Sequence, residues 1–261
     1  MMLHPLLPKL RQLKLGGMAQ TLDGRAAQAT QQNLTPLEFL ALLLDDELER
    51  RRQQRLAHRL AQSGCDAQKT LARFDFAAAL SVNRAFVQDL ATGLFIARHE
   101  NILLCGPTGV GKSHLANAWA IEALKQDYSV LYRNTPRLLA ELHAARATGA
   151  YPRLLARVLT VDLLVLDDFG LQPLTPQAAQ DLYEIISERY EQGSLIVTSN
   201  RAFEEWAAAF GNDLLASAAL DRLTHHAHTL ILHGDSYRQR SRRKEAPSNA
   251  MPAAATLPSS A

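Results

Sequence analysis

The chain has 261 residues, 47% hydrophobic and 21% charged, a balance that builds a core with room for one α/β domain and a smaller unit. Apolar runs such as Leu40 to Leu44 and Leu163 to Leu166 fall far short of a bilayer span. The start carries Lys9, Arg11 and Lys14 without a long apolar stretch, so no leader is expected, and two cysteines, Cys65 and Cys105, form no disulfide or metal pattern and fit a reducing cytosol. The net charge of +2 is uneven: residues 1–98 carry 13 basic against 9 acidic side chains, residues 99–237 carry 10 against 16, and residues 238–261 carry 5 against 1. An acidic middle between basic ends suggests an engine with polyanion-binding appendages, although basic residues on helices also serve simply to solvate a surface.

Residues 1–63 read as a small all-helical unit, with Leu6, Leu7, Leu10, Leu13 and Met18 at helical spacing. Thr35-Pro36-Leu37-Glu38 is a start signal: a Thr cap, Pro at the first helical position and Glu three residues after the cap. The helix it opens carries Phe39, Leu40, Leu43, Leu44 and Leu48, then Arg50, Arg51, Arg52, Arg55 and Arg59, and Ser63-Gly64 ends it. A connector over 64–98 holds Phe74-Asp75-Phe76 and a helix at 81–92. From residue 99 to 243 short apolar strands alternate with helices. The expected strands are Asn101–Cys105, Ser129–Tyr132, Leu163–Asp167, Leu195–Ser199 and Leu230–Leu232, with helices at 112–125, 136–147, 152–159, 176–191 and 203–220. Alternation of this kind predicts a parallel five-stranded sheet covered on both faces. The Ala-, Pro- and Ser-rich tail, 244–261, is expected to be disordered.

Three polar elements follow apolar strands. The residues Gly106, Pro107, Thr108, Gly109, Val110, Gly111, Lys112 and Ser113 match G-x-x-x-x-G-K-[ST] in full, and His114, which follows them at the start of a helical pattern, is counted with them as a nucleotide-binding residue. A P-loop of this type cradles a triphosphate with backbone N–H groups and a helix N-terminus. Lys112 is expected to reach the β- and γ-phosphates of ATP and Ser113 to ligate Mg²⁺. The strand Leu163–Leu166 ends in Asp167-Asp168, placed beside the phosphates because ligands gather at the carboxyl ends of parallel strands. Asp167 is read as a second Mg²⁺ ligand and Asp168 as the group that polarises the attacking water; the alternative for Asp168 is a supporting or capping carboxylate. Asp162, before the strand, reads as a surface residue. Asn200 ends the strand Leu195–Ser199; read alone it is equally a helix cap, and as the third member of the set it is a γ-phosphate sensor. No Asn-Lys-x-Asp element is present, which argues against a GTPase. Trp119 and Trp206 read as core, and Cys105 as packing beside the loop.

With these elements in place, the sequence resembles the IstB family of ATP-binding helper proteins of insertion-sequence transposition, grouped with DnaC-type helicase loaders among the AAA+ ATPases. The likeness is carried by Gly106–Ser113, Leu163–Gly170, Thr198-Ser199-Asn200-Arg201, Leu220-Asp221-Arg222-Leu223 and Gly234-Asp235-Ser236-Tyr237-Arg238, with Tyr128–Tyr132 and Lys9–Met18, and it covers nearly the whole chain to about Arg243. It implies an AAA+ P-loop core with a vestigial C-terminal lid, homo-oligomers with ATP at the subunit boundary, and Arg222 as an arginine finger on a neighbour's γ-phosphate; a helix-end ion pair with Asp221 is the plainer role. Arg238 resembles the position of a second sensor. The family further implies binding of duplex DNA and stimulation of a partner transposase in the bacterial cytosol. Arg50, Arg51, Arg52, Arg55, Arg59 and the basic stretch Arg240, Arg242, Arg243 and Lys244 are the candidate phosphate contacts, which are sequence-independent and salt-sensitive. His225, His226 and His228 match no zinc spacing and are assigned a structural or interface role. Two other readings stand beside this one: a DnaC-like loader of a replicative helicase, and an adaptor whose ATP site switches assembly with negligible turnover.

Overall fold

The computed structural model describes residues 5–77 and 82–234. Three helices open the chain: α1 (Leu7–Gln12), α2 (Gly16–Gln32) and α3 (Pro36–Ser63). The start of α3 is a complete capping box, in which the Thr35 hydroxyl accepts from Glu38 N–H and the Glu38 carboxylate accepts from Thr35 N–H at 2.7 Å. Gly64 ends α3 in the left-handed region. Met18, Leu22 and Leu43 form a small core here, packed by Leu7, Leu10, Leu15 and Phe39. Beside it lies a buried carboxylate. Glu47 accepts from Gly17 N–H at 2.5 Å, which fastens α2 to α3, and from Arg50 at 2.8 Å and Arg51 at 2.7 Å on its own helix; together they hold the acid down to about 2, Arg50 being the main cause.

The connector contributes a 3₁₀ turn at Leu71–Arg73 and two short helices, α4 (Arg84–Leu90) and α5 (Leu94–Ala97). There follow β1 (Asn101–Cys105), α6 (Lys112–Lys125), β2 (Val130–Asn134), α7 (Thr135–Ala147), α8 (Tyr151–Thr160) and β3 (Leu163–Phe169). The chain continues with α9 (Pro176–Arg189), β4 (Ser194–Ser199), a 3₁₀ turn at Phe203–Glu205, α10 (Trp206–Phe210), α11 (Asp213–His225) and β5 (Ala227–Ile231). All pairings are parallel, in the order β2-β3-β4-β1-β5. The strands β1 and β4 are buried along their whole length, as the continuous apolar runs of a sheet covered on both sides require. One face packs Leu103, Leu131, Leu164 and Val197 under α7, α8, α9 and α11; the other packs Ile102, Leu104, Val165 and Ile196 under α6 and the connector, with Trp119 buried among them. Trp206 and Cys105 are buried in the first of these cores.

Several element limits differ from those read off the sequence. The helix expected at 203–220 is three pieces, because Gly211 takes φ +63 and Asn212 caps a new helix by accepting from Leu215 N–H. That new helix runs on to His225, and β5 begins at Ala227 rather than Leu230. The strand β3 continues through Asp168 to Phe169 across a bulge. The connector helix, expected at 81–92, spans Arg84–Leu90 and starts at the Asn83 cap. Among the described residues no helix is long and apolar enough to cross a membrane. The reduced lid, Arg238, the basic stretch 240–244 and the Ala-, Pro- and Ser-rich tail lie outside the described residues.

Candidate nucleotide site

Because β1 lies between β4 and β5, and β3 lies next to β4, the carboxyl ends of β1, β4 and β3 stand side by side. The loop after β1 is tight. Gly106 holds φ +143, and a Cβ there would sit 2.2 Å from the Leu232 carbonyl oxygen; Gly111 holds φ +103, and a Cβ there would sit 2.8 Å from the Phe74 ring. Neither position admits a side chain, so the loop closes on the first turn of α6 and aims that helix's open N–H groups inward.

Lys112, 5% exposed, donates to the Gly106 carbonyl at 2.7 Å, the Pro107 carbonyl at 2.8 Å and the Asn200 side-chain oxygen at 2.7 Å. Burial pulls its pKa down, and the nearby Asp168 and Asp167 charges oppose that shift. The loop from β1 and the end of β4 therefore meet at one ammonium group.

Asp167 is the hub of a second cluster. It accepts from the Ser113 hydroxyl at 2.8 Å, from the Tyr132 hydroxyl at 2.7 Å and from the Thr198 hydroxyl. Burial and the Asp167 charge raise the Tyr132 pKa, so its phenol stays a donor. Asp168 sits in the bulge of β3 with φ +61, a conformation that Asp tolerates better than most residues. Its N–H donates to the Thr198 hydroxyl at 3.1 Å and its carboxylate accepts from the Asn134 amide at 2.9 Å. Asn134 in turn caps α7, accepting from Arg137 N–H at 3.3 Å. Ser113 and Asp167 offer two hard oxygen atoms 2.8 Å apart, a donor set that suits Mg²⁺.

His114 turns away from the loop toward the connector, with Nε2 2.8 Å from the Thr70 carbonyl oxygen and its ring edge-on to Phe74. Arg222 lies elsewhere. Its guanidinium donates to the Ala218 carbonyl at 2.8 Å, faces the Tyr183 ring at 5.6 Å and lines a shallow cleft with Asn101, Gly193 and Leu195, at the amino-terminal edge of the sheet. That is the opposite edge from Lys112, so Arg222 does not join the site of its own chain. Along α3, Arg52 and Arg55 are exposed, Arg50 and Arg51 pair with Glu47, and Arg59 pairs with Asp127.

Comparison with known proteins gives the family. The family model of IstB-like ATP-binding proteins matches residues 8–245. The chain belongs to that family. It is 41% identical over 244 residues to a Sinorhizobium fredii protein, y4pL, named as an insertion sequence ATP-binding protein; the match covers 94% of this chain and 100% of that one. It is 36% identical over 242 residues to the Pseudomonas aeruginosa protein named for ATP binding in insertion sequence IS21, covering 93% of this chain and 91% of the relative. Among solved structures, the DnaC helicase loader superposes with a TM-score of 0.52 at 22% identity, covering 64% of this chain and 98% of that one. AMPPCP-bound DnaA from Aquifex aeolicus superposes with a TM-score of 0.55 at 21% identity, covering 70% of this chain and 56% of that one. The fold of this IstB-like protein is that of an AAA+ P-loop domain.

Three residues of the IstB-like site carry no role in the motif reading: Tyr132, Asn134 and Thr198. Asn134 and Thr198 sit at or near the carboxyl ends of β2 and β4, and Tyr132 sits in the middle of β2. For Asn134 and Thr198 the available signal was a polar side chain interrupting an apolar strand at that end; Thr198, fully buried, is the clearest case.

Proposed function

We propose that this IstB-like protein is an ATP-dependent regulator of DNA transposition that assembles on duplex target DNA, hydrolyses ATP and recruits or stimulates a partner transposase. The observation that carries the ATPase part is the meeting of Lys112, Asn200, Ser113, Asp167 and Asp168 at the ends of three adjacent strands. Lys112 and the loop amides bind the phosphates of ATP. Ser113 and Asp167 hold Mg²⁺, which neutralises phosphate charge when bound. Asp168 orients and polarises the attacking water once it leaves Asn134, and Asn200 senses the γ-phosphate through the contact it makes with Lys112.

Arg222 serves a neighbouring subunit. Its place at the far sheet edge supports that reading, since a side chain there can reach phosphate only in trans. Nucleotide then lies between subunits of a homo-oligomer. Residues 1–63 contact DNA or the partner, residues 64–98 link them to the ATPase core of 99–243, and Arg52 and Arg55 lead the phosphate contacts of α3, joined by the stretch 240–244. The relatives' names, given for insertion sequences, support the transposition setting.

The test is the ATPase rate with duplex and with single-stranded DNA at several salt concentrations. The expected result is stimulation by duplex that fades steeply with salt and vanishes in Lys112→Ala and Asp168→Asn. Stimulation only by single strands together with a replicative helicase would replace this reading with a helicase loader.

A further inference from the structure

Histidines next to each other on a helix point apart, but here the helix ends between them. His225 is the last residue of α11 and His226 is its cap, with φ −130 and ψ 68, so both rings turn to one side with centroids 4.1 Å apart. The same side receives Glu191, which follows α9 and holds φ +57. One ligand atom from each of Glu191, His225 and His226 lies within 4.8 Å of the other two, and His226 Nε2 is 4.0 Å from Glu191 Oε1.

We propose that Glu191, His225 and His226 form a surface site for a divalent transition metal of the zinc class. Two imidazoles and one carboxylate are a ligand set such ions favour, and three protein ligands leave a coordination position for water or a donor from another molecule. A tetrahedral ion about 2.1 Å from each atom needs ligand atoms roughly 3.4 Å apart. All three side chains are exposed, and those of Glu191 and His226 can rotate to close that gap. The Tyr190 hydroxyl lies 2.8 Å from His225 Nδ1, which fixes the ring as an outer partner does for a metal-bound histidine. The carbonyl end of α11 adds a negative pole that favours a cation there.

His228, the third member of the sequence cluster, is not part of this site. It is in β5 and bonds Glu100 at 2.8 Å. The thiols do not compete, since burial pushes Cys65 and Cys105 up to about 11. The bound ion clamps the turn after α9 to the junction of α11 and β5.

The test uses the full chain with any affinity tag removed, without nucleotide or Mg²⁺. Zn²⁺ is titrated calorimetrically, Co²⁺ binding is read from visible absorption, and the thermal midpoint is followed with added Zn²⁺. The expected result is saturable binding with Co²⁺ bands of nitrogen ligation and a midpoint that rises with Zn²⁺. The double variant His225→Ala/His226→Ala should lose the bands and the midpoint rise, and Tyr190→Phe should weaken binding about tenfold. Ser113→Ala and His228→Ala should bind as the parent does, and the circular dichroism of every variant should match it. The proposal is overturned if the parent binds no Co²⁺, if the double variant binds as tightly, or if Ser113→Ala rather than the histidine pair removes the signal.

Discussion

Tyr132→Phe isolates the hydrogen bond that Asp167 receives from β2. The Tyr132 hydroxyl donates to Asp167 Oδ2 at 2.7 Å, while the ring packs against the core face that also holds Val130 and Trp119. Phenylalanine keeps the ring and removes only the donor. A hydrogen bond to a charged group is worth about 1.5–3 kcal/mol, and because Tyr132 is only half-buried, water can replace part of it, so the low end applies. A loss of about 1.5 kcal/mol lowers the melting temperature of a chain of this size by roughly 3–6 °C. Asp167 then has donors only on Oδ1, from Ser113 and Thr198, and with Oδ2 unheld the carboxylate is free to rotate away from the Ser113 hydroxyl. Mg²⁺ affinity in the nucleotide complex should therefore fall by about tenfold, the usual cost of losing an outer partner of a metal ligand. Differential scanning fluorimetry gives the first quantity, and ATPase rate against Mg²⁺ concentration gives the second. If the variant melts with the parent and its Mg²⁺ midpoint does not move, the Tyr132–Asp167 bond has no part in setting the metal ligand.

Arg222→Ala should bind ATP as the parent does yet lose turnover by about 10³-fold in the assembled state; weakened binding of a fluorescent ATP analogue would contradict a role in trans. Gly111→Ala forces a side chain onto φ +103 and against Phe74, so it should abolish nucleotide binding and cost on the order of 1–3 kcal/mol in thermal unfolding. Glu47 binds a proton near its ordinary 4.5 in the unfolded chain but only at about 2 when folded. The stabilisation this gives is complete above 4.5 and is lost as pH falls toward 2. The protection factor of the Gly17 amide, its exchange rate corrected for the intrinsic effect of pH, should fall as pH drops across that window, and Glu47→Gln should remove that fall.

What the sequence displayed well was local. The Thr35–Glu38 box, the Thr175-Pro176 start of α9 and the P-loop each lie within eight residues of chain, and the backbone answers such signals wherever the rest of the fold goes. The strand leading to Asp167 and Asp168 was legible because four apolar residues in a row mark a buried strand, although β3 runs on to Phe169. The contacts that finish the site are different. Tyr132, Asn134 and Thr198 reach Asp167 and Asp168 from β2 and β4, across 30 to 35 positions of sequence, and only the strand order brings them together. The bulge that turns Asp168 toward Asn134 has no sequence mark, because Asp adopts left-handed φ without a glycine. The break at Gly211-Asn212 was visible in composition, but periodicity continued across it through Ala216, Ala219 and Leu223. Glu191 could not be joined to the histidines from spacing, since it follows a different helix.

The arrangement also bears on how an event at the phosphates reaches the amino-terminal helices. The end of α3 is fastened to the core by Arg157, which donates to the Gln62 carbonyl at 3.0 Å, and by the Arg59–Asp127 pair. The next residues are fastened to α6 itself: Asn117 accepts from Asp66 N–H and donates to the Asp66 and Lys69 carbonyls, His114 meets the Thr70 carbonyl, and Phe74 covers Gly111. Helix α6 begins at Lys112, so the connector rests on the helix whose first turn is proposed to bind phosphate. On the opposite flank Asn134 joins Asp168 to the cap of α7. Under the proposed role of Asp168, a shift toward the attacking water would release the Asn134 amide nitrogen, while the amide oxygen of the same side chain caps α7. Coupling requires an element with two arrangements rather than mere contiguity, and the Asn134 amide, bonded to a carboxylate through nitrogen and to a helix end through oxygen, would be such an element if Asp168 takes its proposed role.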